Sequence, residues 1–293
     1  MPPPSATSRS TLLNSATSDN ADAPIGIFDS GIGGLSVLRH IHALLPAESL
    51  IYFADSGFAP YGDKSEAVIV QRALAIAAFL LEHQVKAIVV ACNTATAAAI
   101  AALRARYPDL PVVGVEPGLK PAAAQTQSGV VGVLATERTL ASQKFIALQA
   151  QIATASGVQF LPQACAGLAD QIEKGALQSA ETASLIRRYV DPLLAQGADT
   201  LVLGCTHYPF VQSLIEQVAA SQGKPVKLID TGAAVARQLQ RLLENLAHQP
   251  SVPATATLSA FTTGSRTALL GAFRLLLNLQ PEVRQVTVKT SDA

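Results

Sequence analysis

From Ile25 onward, short runs of apolar and β-branched residues alternate with longer segments in which apolar residues recur every three or four positions. The short runs predict buried strands, and the longer segments predict amphipathic helices. One predicted helix carries Leu35, Leu38, Ile41 and Leu45 on a single face. The predicted strands cover residues 25–28, 50–54, 87–91, 112–115, 130–134, 158–161, 201–204 and 227–229.

Strands that are apolar throughout and alternate with helices are typical of a parallel sheet covered on both faces. The predicted fold class is therefore α/β and doubly wound. These strands also fit a closed barrel, but further β pattern follows them at residues 254–261 and 286–288. An internal echo favours two sheets: residues 88–94 and 201–207 each run from an apolar strand through a small residue into a cysteine.

The echo predicts two α/β domains with a cleft between them. We place the crossover to the second domain near residues 115–117 and the return near residues 223–226. The first domain then comprises residues 24–115 and 227–293, and the second comprises residues 116–226. Residues 1–23 are predicted to be a disordered extension, with an organelle transit peptide as the alternative because Arg9 stands alone in a serine-rich stretch.

The composition narrows the class of protein. Apolar residues make up 49% of the chain, charged residues 14%, and the formal net charge is zero. This balance indicates a globular protein and gives no reason to expect a nucleic-acid or membrane partner. Three cysteines in 293 residues do not form a disulfide framework, so we expect a reducing cytoplasm.

Small polar residues follow most of the predicted strands. Because ligands bind beyond the carboxyl ends of parallel strands, these residues predict a site for a small, highly polar molecule. Each aspartate also has a simpler interpretation as a turn or helix cap. The glycines after Asp29 lack the spacing of a dinucleotide motif. The segments are Asp29-Ser30-Gly31, Asp55-Ser56-Gly57, Cys92-Asn93-Thr94, Thr136, Cys205-Thr206-His207 and Asp230-Thr231-Gly232.

The cysteines carry the most specific signal. We interpret Cys165 as a buried core residue. Cys92 and Cys205 each stand where a strand meets a predicted helix start, which favours the thiolate and lowers the thiol pKa towards neutrality. A thiol poised near neutral pH can accept and donate a proton, as general acid–base catalysis requires.

Four uses of this cysteine pair compete. A metal site would need more ligands at suitable spacing, and His207 follows Cys205 too closely. A redox disulfide would favour a C-x-x-C motif, which the chain lacks. A Cys205 nucleophile with His207 as its base leaves Cys92 unexplained. Two acid–base thiols on opposite walls of a cleft explain both cysteines and the internal echo.

Several segments occur in the same order as the motifs of a known protein family: residues 26–35, 52–55, 60–65, 91–95, 132–136, 204–209 and 229–232. Through them the chain resembles the glutamate racemases of bacterial cell-wall synthesis over about residues 24–290. The resemblance implies two α/β domains related by a pseudo-twofold axis, glutamate in the cleft between them, and no cofactor or metal. It also implies a cytoplasmic supply of D-glutamate for peptidoglycan, and hence for cell-wall biogenesis and cell shape.

The resemblance assigns Cys92 and Cys205 as the two proton-transfer residues. It also suggests that Asp29, Asp55, Glu173 and His207 tune the thiols, with Asp29 beside Cys92 and His207 beside Cys205. Lys64 stands at a position where members of this family also carry arginine, and Thr231 stands at one where they commonly carry serine. The residues that the resemblance places around the substrate are Asp29, Ser30, Tyr61, Gly62, Asn93, Thr94, Thr206 and His207.

Two alternatives stay open. One is a related racemase for aspartate or another acidic amino acid, which would use the same chemistry in a pocket of different depth. The other is a protein of this fold that acts mainly by binding DNA gyrase. Activation by a cell-wall precursor and assembly into a homodimer leave no clear mark in the sequence.

Overall fold

Two parallel sheets organise the chain in the computed structural model, which describes residues 22–245 and 256–289. The predicted extension therefore falls, except for residues 22 and 23, outside the described residues. Within them, the strands are β1 Ile25–Asp29, β2 Leu50–Ala54, β3 Ala87–Val90, β4 Val112–Gly114, β5 Val130–Ala135, β6 Gln159–Ala164, β7 Thr200–Gly204, β8 Lys227–Ile229, β9 Leu258–Thr262 and β10 Glu282–Gln285.

Helices cover both faces of each sheet, as the continuous apolar strands predict. No helix in the described part of the chain is long and apolar enough to cross a membrane. The helices are α1 Leu35–Leu44, α2 Glu66–Glu82, α3 Asn93–Arg106, α4 Leu119–Gln125, α5 Glu137–Leu140, α6 Gln143–Ser156, α7 Leu168–Glu173, α8 Ala180–Ala195, α9 Gln212–Ser221, α10 Gly232–Asn245 and α11 Arg266–Leu277, with 3₁₀ turns at Tyr61–Asp63 and Tyr208–Val211.

The larger sheet has the order β10-β9-β2-β1-β3-β4 and the smaller sheet the order β6-β5-β7-β8. The run β2-β1-β3-β4 repeats as β6-β5-β7-β8, so the internal echo corresponds to a repeated topology. We call the larger sheet with α1–α3, α10 and α11 the first unit, and the smaller sheet with α4–α9 the second unit. Both interpretations drawn from the pattern, doubly wound α/β and two domains, are confirmed.

Alternate residues of each strand enter different cores, because successive side chains point to opposite faces of a sheet. Ile25 and Ile27 of β1 pack on one side of the larger sheet, and Phe28 packs on the other. In the smaller sheet, Leu201 and Leu203 of β7 are separated in the same way from Val202. Strands β1 and β7 therefore carry continuous apolar runs rather than alternating with polar residues.

The chain crosses between the units twice. The first crossover follows β4 at residues 115–118, close to the prediction. The predicted return at residues 223–226 is wrong, because β8 pairs with β7 and so belongs to the smaller sheet. Residues 223–226 form only the loop before β8, and the return follows Ile229. The two crossovers touch: a β-carbon at Gly118 would lie 2.8 Å from Ile229 and 3.1 Å from Thr231.

The β pattern at the end of the chain is only partly confirmed. β9 starts at Leu258, and residues 254 and 255 lie outside the described residues. The last strand is β10, Glu282–Gln285, rather than residues 286–288. Val286 N still donates to Thr262 O, and Val286 and Val288 pack against the core of the larger sheet. Their apolar character reflects this packing.

Candidate active site

Asp29 stands at the carboxyl end of β1 and is fully buried. Its Oδ1 accepts a hydrogen bond from Gly31 N at 2.8 Å, as the turn interpretation predicts, and lies 3.4 Å from Ser30 Oγ. Its Oδ2 accepts a hydrogen bond at 3.0 Å from Thr206 Oγ1 of the second unit. Burial raises the pKa of Asp29, although the charge of His207 partly opposes this. Asp29 therefore forms a turn and joins the two units.

Cys92 is the N-cap residue of α3, and its Sγ accepts a hydrogen bond from Ala95 N at 3.4 Å. Ser30 Oγ lies 3.7 Å from the same sulfur. The prediction of a lowered pKa is wrong for this thiol. Burial, followed by the negative charge of Asp29, raises the pKa of Cys92 to about 12, and the contacts from Ala95 and Ser30 only reduce this effect.

Cys205 has a different environment. It follows β7, but a 3₁₀ turn comes next and α9 begins only at Gln212. Among the described residues, no α-helix therefore starts directly after Cys205, and the prediction of a helix start there is wrong. The neighbour of its sulfur is instead His207, whose Nδ1 lies 3.5 Å away. The predicted pairing of Cys205 with His207 is thus present in the structure.

Glu173 contacts Nε2, the ring nitrogen of His207 that does not face Cys205. Its Oε1 lies 2.7 Å from His207 Nε2 and also accepts a hydrogen bond from Ile32 N of the first unit at 2.9 Å. Burial alone would lower the pKa of His207, but its contacts with Cys205 and Glu173 raise it well above the usual value. Burial would raise the pKa of Glu173, but His207 and the Ile32 amide lower it. The pair favours a protonated histidine beside Cys205.

Close approach of the units explains the glycine-rich segment after Asp29. A β-carbon at Gly31 would overlap Glu173 Oε1, and one at Gly33 would lie 2.5 Å from His207 Nδ1 and 2.6 Å from Thr206 Oγ1. The glycines leave room for these second-unit side chains. This packing explains why the segment is rich in glycine, so no bound dinucleotide is needed to account for it.

Thr94 and Asn93 lie at the start of α3, beside Cys92. Thr94 Oγ1 is 3.0 Å from Thr136 Oγ1 and 3.3 Å from Thr139 Oγ1, so three hydroxyls meet where α3 faces α5 of the second unit. The sequence did not identify Thr139, because it stands inside α5 rather than at a strand end. Asn93 Nδ2 is buried and has no hydrogen-bond partner among the described residues.

The 3₁₀ turn Tyr61–Asp63 carries the next two predicted site residues, Tyr61 and Gly62. Tyr61 packs in the same apolar cluster as Cys92, and its hydroxyl donates to Asp55 Oδ2 at 2.7 Å. Asp55 is fully buried and bound by Arg72, with both carboxylate oxygens engaged. Asp55 therefore contacts Arg72 and Tyr61 rather than a thiol, and the sequence did not identify Arg72.

The segment after β8 lies apart from this group. Asp230 Oδ1 accepts a hydrogen bond from Gly232 N at 3.0 Å, and Oδ2 lies 3.4 Å from Arg39 Nη2 and 3.3 Å from His40 Nε2 on α1. The capping interpretation suffices for Asp230. Cys165, as predicted, is buried in an apolar cluster of the second unit. Within residues 22–245 and 256–289, no group of three or more His, Cys, Asp or Glu side chains is arranged to hold a metal ion.

A cavity of about 860 Å³ lies beside the two crossovers. Residues of both crossovers line it, among them Glu116 and Thr231. Three basic residues, Arg104, Lys120 and Arg241, also line it. The cavity is separate from the group of residues around the two thiols.

Comparison with known proteins identifies the family. Residues 25–239 match the Asp/Glu/Hydantoin racemase family. The chain is 54% identical over 265 residues to the glutamate racemase of Ectopseudomonas mendocina, covering 90% of this chain and 98% of that protein.

Solved structures agree with the sequence match. One is glutamate racemase from Francisella tularensis in complex with D-glutamate, with a TM-score of 0.80, 27% identity, and coverage of 92% of this chain and 98% of that one. Another is the Escherichia coli glutamate racemase with L-glutamate and the activator UDP-MurNAc-Ala, with a TM-score of 0.77, 36% identity, and coverage of 89% and 97%. The alternative activities are not favoured by these matches. With two parallel-sheet domains, a sequence match over most of its length and these structural relatives, the chain belongs to the glutamate racemases, isomerases that act on an amino acid.

Proposed function

We propose that the chain interconverts L- and D-glutamate by two-base proton transfer, with Cys92 and Cys205 as the bases and no cofactor. One thiolate removes the α-proton, and the other thiol delivers a proton to the opposite face of the carbon. The roles exchange when the other enantiomer is bound.

A single observation carries this proposal: polar contacts lead across the two units from the Cys92 thiol to Thr206, the residue that follows Cys205. Ser30 lies between Cys92 and Asp29, and Asp29 binds Thr206, the residue after Cys205. His207 Nδ1 lies 3.5 Å from Cys205 Sγ and would lie 2.5 Å from a β-carbon at Gly33, so Cys205 also faces the segment that carries Asp29 and Ser30. Both thiols are buried, which suits groups that must exchange protons with a bound molecule rather than with bulk water.

Charge on the substrate offsets part of the cost of forming the Cys92 thiolate. Its pKa is raised first by burial and second by Asp29. An ammonium group bound at Asp29 neutralises this second effect, and so favours the thiolate when substrate is present. At Cys205, a protonated His207 has the same effect, because a positive charge next to a thiol stabilises its anion.

The remaining predicted residues bind the substrate in this proposal. Asn93 Nδ2 is a buried donor without a hydrogen-bond partner in the described part of the chain, which is costly unless a ligand accepts its hydrogen bond. We assign Asn93, Thr94 and Thr206 to the α-carboxylate, where charge builds up during reaction. The backbone at Tyr61 and Gly62 takes the distal carboxylate.

Optical and isotopic measurements test the two-base scheme. Circular dichroism of L-glutamate incubated with the protein, without pyridoxal phosphate, should decay to zero. Cys92→Ser and Cys205→Ser should each lower kcat by about 10³-fold or more, since a hydroxyl is a far weaker acid than a thiol. Cys165→Ser is the matched control. Full activity in either site variant, or retention of the original hydrogen at Cα in deuterated water, would refute the scheme.

We place this activity in the cytoplasm, as a source of D-glutamate for peptidoglycan. The three cysteines are free in the structure, which suits a reducing compartment. The chain should restore growth of a bacterial strain that requires D-glutamate, whereas the Cys92→Ser variant should not. Equal rescue by both would show that catalysis at Cys92 is not needed for this role.

A cell-wall precursor is the proposed activator, and the cavity beside the crossovers is its proposed site. The E. coli relative was solved with UDP-MurNAc-Ala, and the basic residues Arg104, Lys120 and Arg241 suit a diphosphate. A molecule bound there contacts both links between the units. Addition of UDP-MurNAc-Ala should raise kcat, and Arg241→Ala should weaken this response without changing the basal rate. An unchanged kcat would refute the activation.

A further inference from the structure

Arg72 of α2 is a buried arginine whose side chain is 7% exposed. Its Nε donates to Asp55 Oδ2 at 2.7 Å, and its Nη2 donates to Asp55 Oδ1 at 2.6 Å. Its Nη1 donates to the carbonyl oxygen of Val288 at 2.6 Å. The guanidinium therefore fastens the end of β2 to the segment that follows β10.

Asp55 passes this connection on to Tyr61. Its Oδ2 accepts the Tyr61 hydroxyl at 2.7 Å, and its Oδ1 accepts Thr263 Oγ1 at 2.8 Å. Burial and the charge of Asp55 raise the pKa of Tyr61 far above its usual value, so the phenol remains a donor to Asp55. Its hydroxyl is thus committed to the protein, and the backbone of the turn is the part left to meet a substrate.

The turn Tyr61–Asp63 is placed to do so. It lies between the cluster that contains Cys92 and helix α5 of the second unit. A β-carbon at Gly62 would have no atom of residues 22–245 or 256–289 within 4 Å, so the turn is open on that side. An open turn beside the thiol can present N–H groups to an anion only if its own position is fixed.

We propose that Arg72 is a positioning residue that holds the Tyr61–Asp63 turn in place for the distal carboxylate of glutamate, and that the segment ending at Val288 belongs to the same device. This inference rests on the proposed function. Arg72 makes two hydrogen bonds to Asp55 and a third to Val288, and together these fix the position of the Asp55 carboxylate. The Asp55 carboxylate in turn fixes the position of Tyr61. Residues 286–288 thereby act on the site through Arg72 and Asp55.

Arg72→Lys tests this role while keeping the positive charge opposite buried Asp55, whose loss would risk unfolding. A lysine cannot bind both carboxylate oxygens and the Val288 carbonyl in the same geometry. We expect KM for glutamate to rise about tenfold with kcat within about twofold of the original, the pattern of a lost binding interaction. Tyr61→Phe, which leaves the ion pair intact, should raise KM in the same way.

Arg284→Lys is the control, because this arginine is exposed and pairs with Glu282 on β10. A fall in kcat at unchanged KM in Arg72→Lys would indicate a structural role only, and would overturn the inference. So would an unchanged KM in both variants. Absence of racemisation in the unaltered chain would instead refute the proposed function, on which the inference depends.

Discussion

Glu173→Gln separates the electrostatic role of Glu173 from its structural one. The carboxylate accepts hydrogen bonds from His207 Nε2 at 2.7 Å and from Ile32 N at 2.9 Å. A glutamine can orient its amide oxygen towards the Ile32 amide and so keep the link between the units. It cannot supply the negative charge that favours protonated His207. The substitution should therefore leave the fold intact and lower the pKa of His207.

The size of the effect follows from the geometry. A hydrogen bond to a charged group contributes about 1.5–3 kcal/mol. The Glu173 side chain is 31% exposed, so solvent screening favours the lower end of this range. A loss of about 1.5 kcal/mol corresponds to roughly a tenfold loss of kcat/KM where protonation of His207 limits the reaction.

The sign of the pH dependence is fixed by the direction of the shift. The pKa of His207 in the folded protein lies above its unfolded value of about 6.5. Protonated His207 therefore stabilises the fold fully below about pH 6.5, and this stabilisation is lost as the pH rises through the folded-state pKa. In Glu173→Gln this loss should begin at lower pH. The alkaline limb of kcat/KM should shift to lower pH, while the acid side changes less.

The assay is a pH profile of kcat/KM measured in both directions. L- and D-glutamate are enantiomers, so their equilibrium constant is unity and kcat/KM must agree in both directions for every variant. This equality is an internal check. Glu282→Gln, at an exposed ion pair, is the matched control. A loss of equal size at every pH, with the alkaline limb unmoved, would refute a role for Glu173 through His207.

Three further predictions concern packing and stability. Gly33→Ala should raise KM and destabilise the fold by about 1–3 kcal/mol, because its β-carbon meets His207, and an unchanged melting temperature would contradict this. Lys86→Met should cost about 3 kcal/mol in urea unfolding, because it leaves the buried Glu48 carboxylate without its ion pair. Asp199 has a pKa lowered to about 2: burial raises it, but hydrogen bonds including that from Thr126 outweigh burial. Asp199→Asn should therefore cost about 1 kcal/mol above pH 4, a cost that disappears as pH falls through about 2.

Most strands were predictable because a parallel sheet buried on both faces needs continuous apolar runs. β2 and β8 match their predicted bounds. Sheet membership was harder, because β8 looks like any other buried strand, and only its pairing with β7 shows that the return follows it. Strand ends also predicted Asp29 and Cys92 in the larger sheet and Cys205 in the smaller one, since residues at the carboxyl ends of parallel strands share an edge of their sheet.

The electrostatics and the supporting side chains were less accessible. The sequence suggested a helix start at each thiol, but the degree of burial that raises the pKa of Cys92 depends on the packed fold. Arg72 lies on the face of α2 that buries Ile69, Ala73 and Ile76. A lone arginine on an apolar helix face is a signal of a buried partner, but its partners Asp55 and Val288 lie 17 and 216 positions away along the chain, in other elements.

The contact between the two crossovers limits how the units can move. Two links fixed at one place act as a pivot, so swinging the units apart needs backbone changes at only a few residues around Gly118 and Thr231. The gap then widens most at the edge farthest from the pivot. A bulky side chain at position 118 would push the two crossovers apart. It would thereby change the angle between the two units to which glutamate binds.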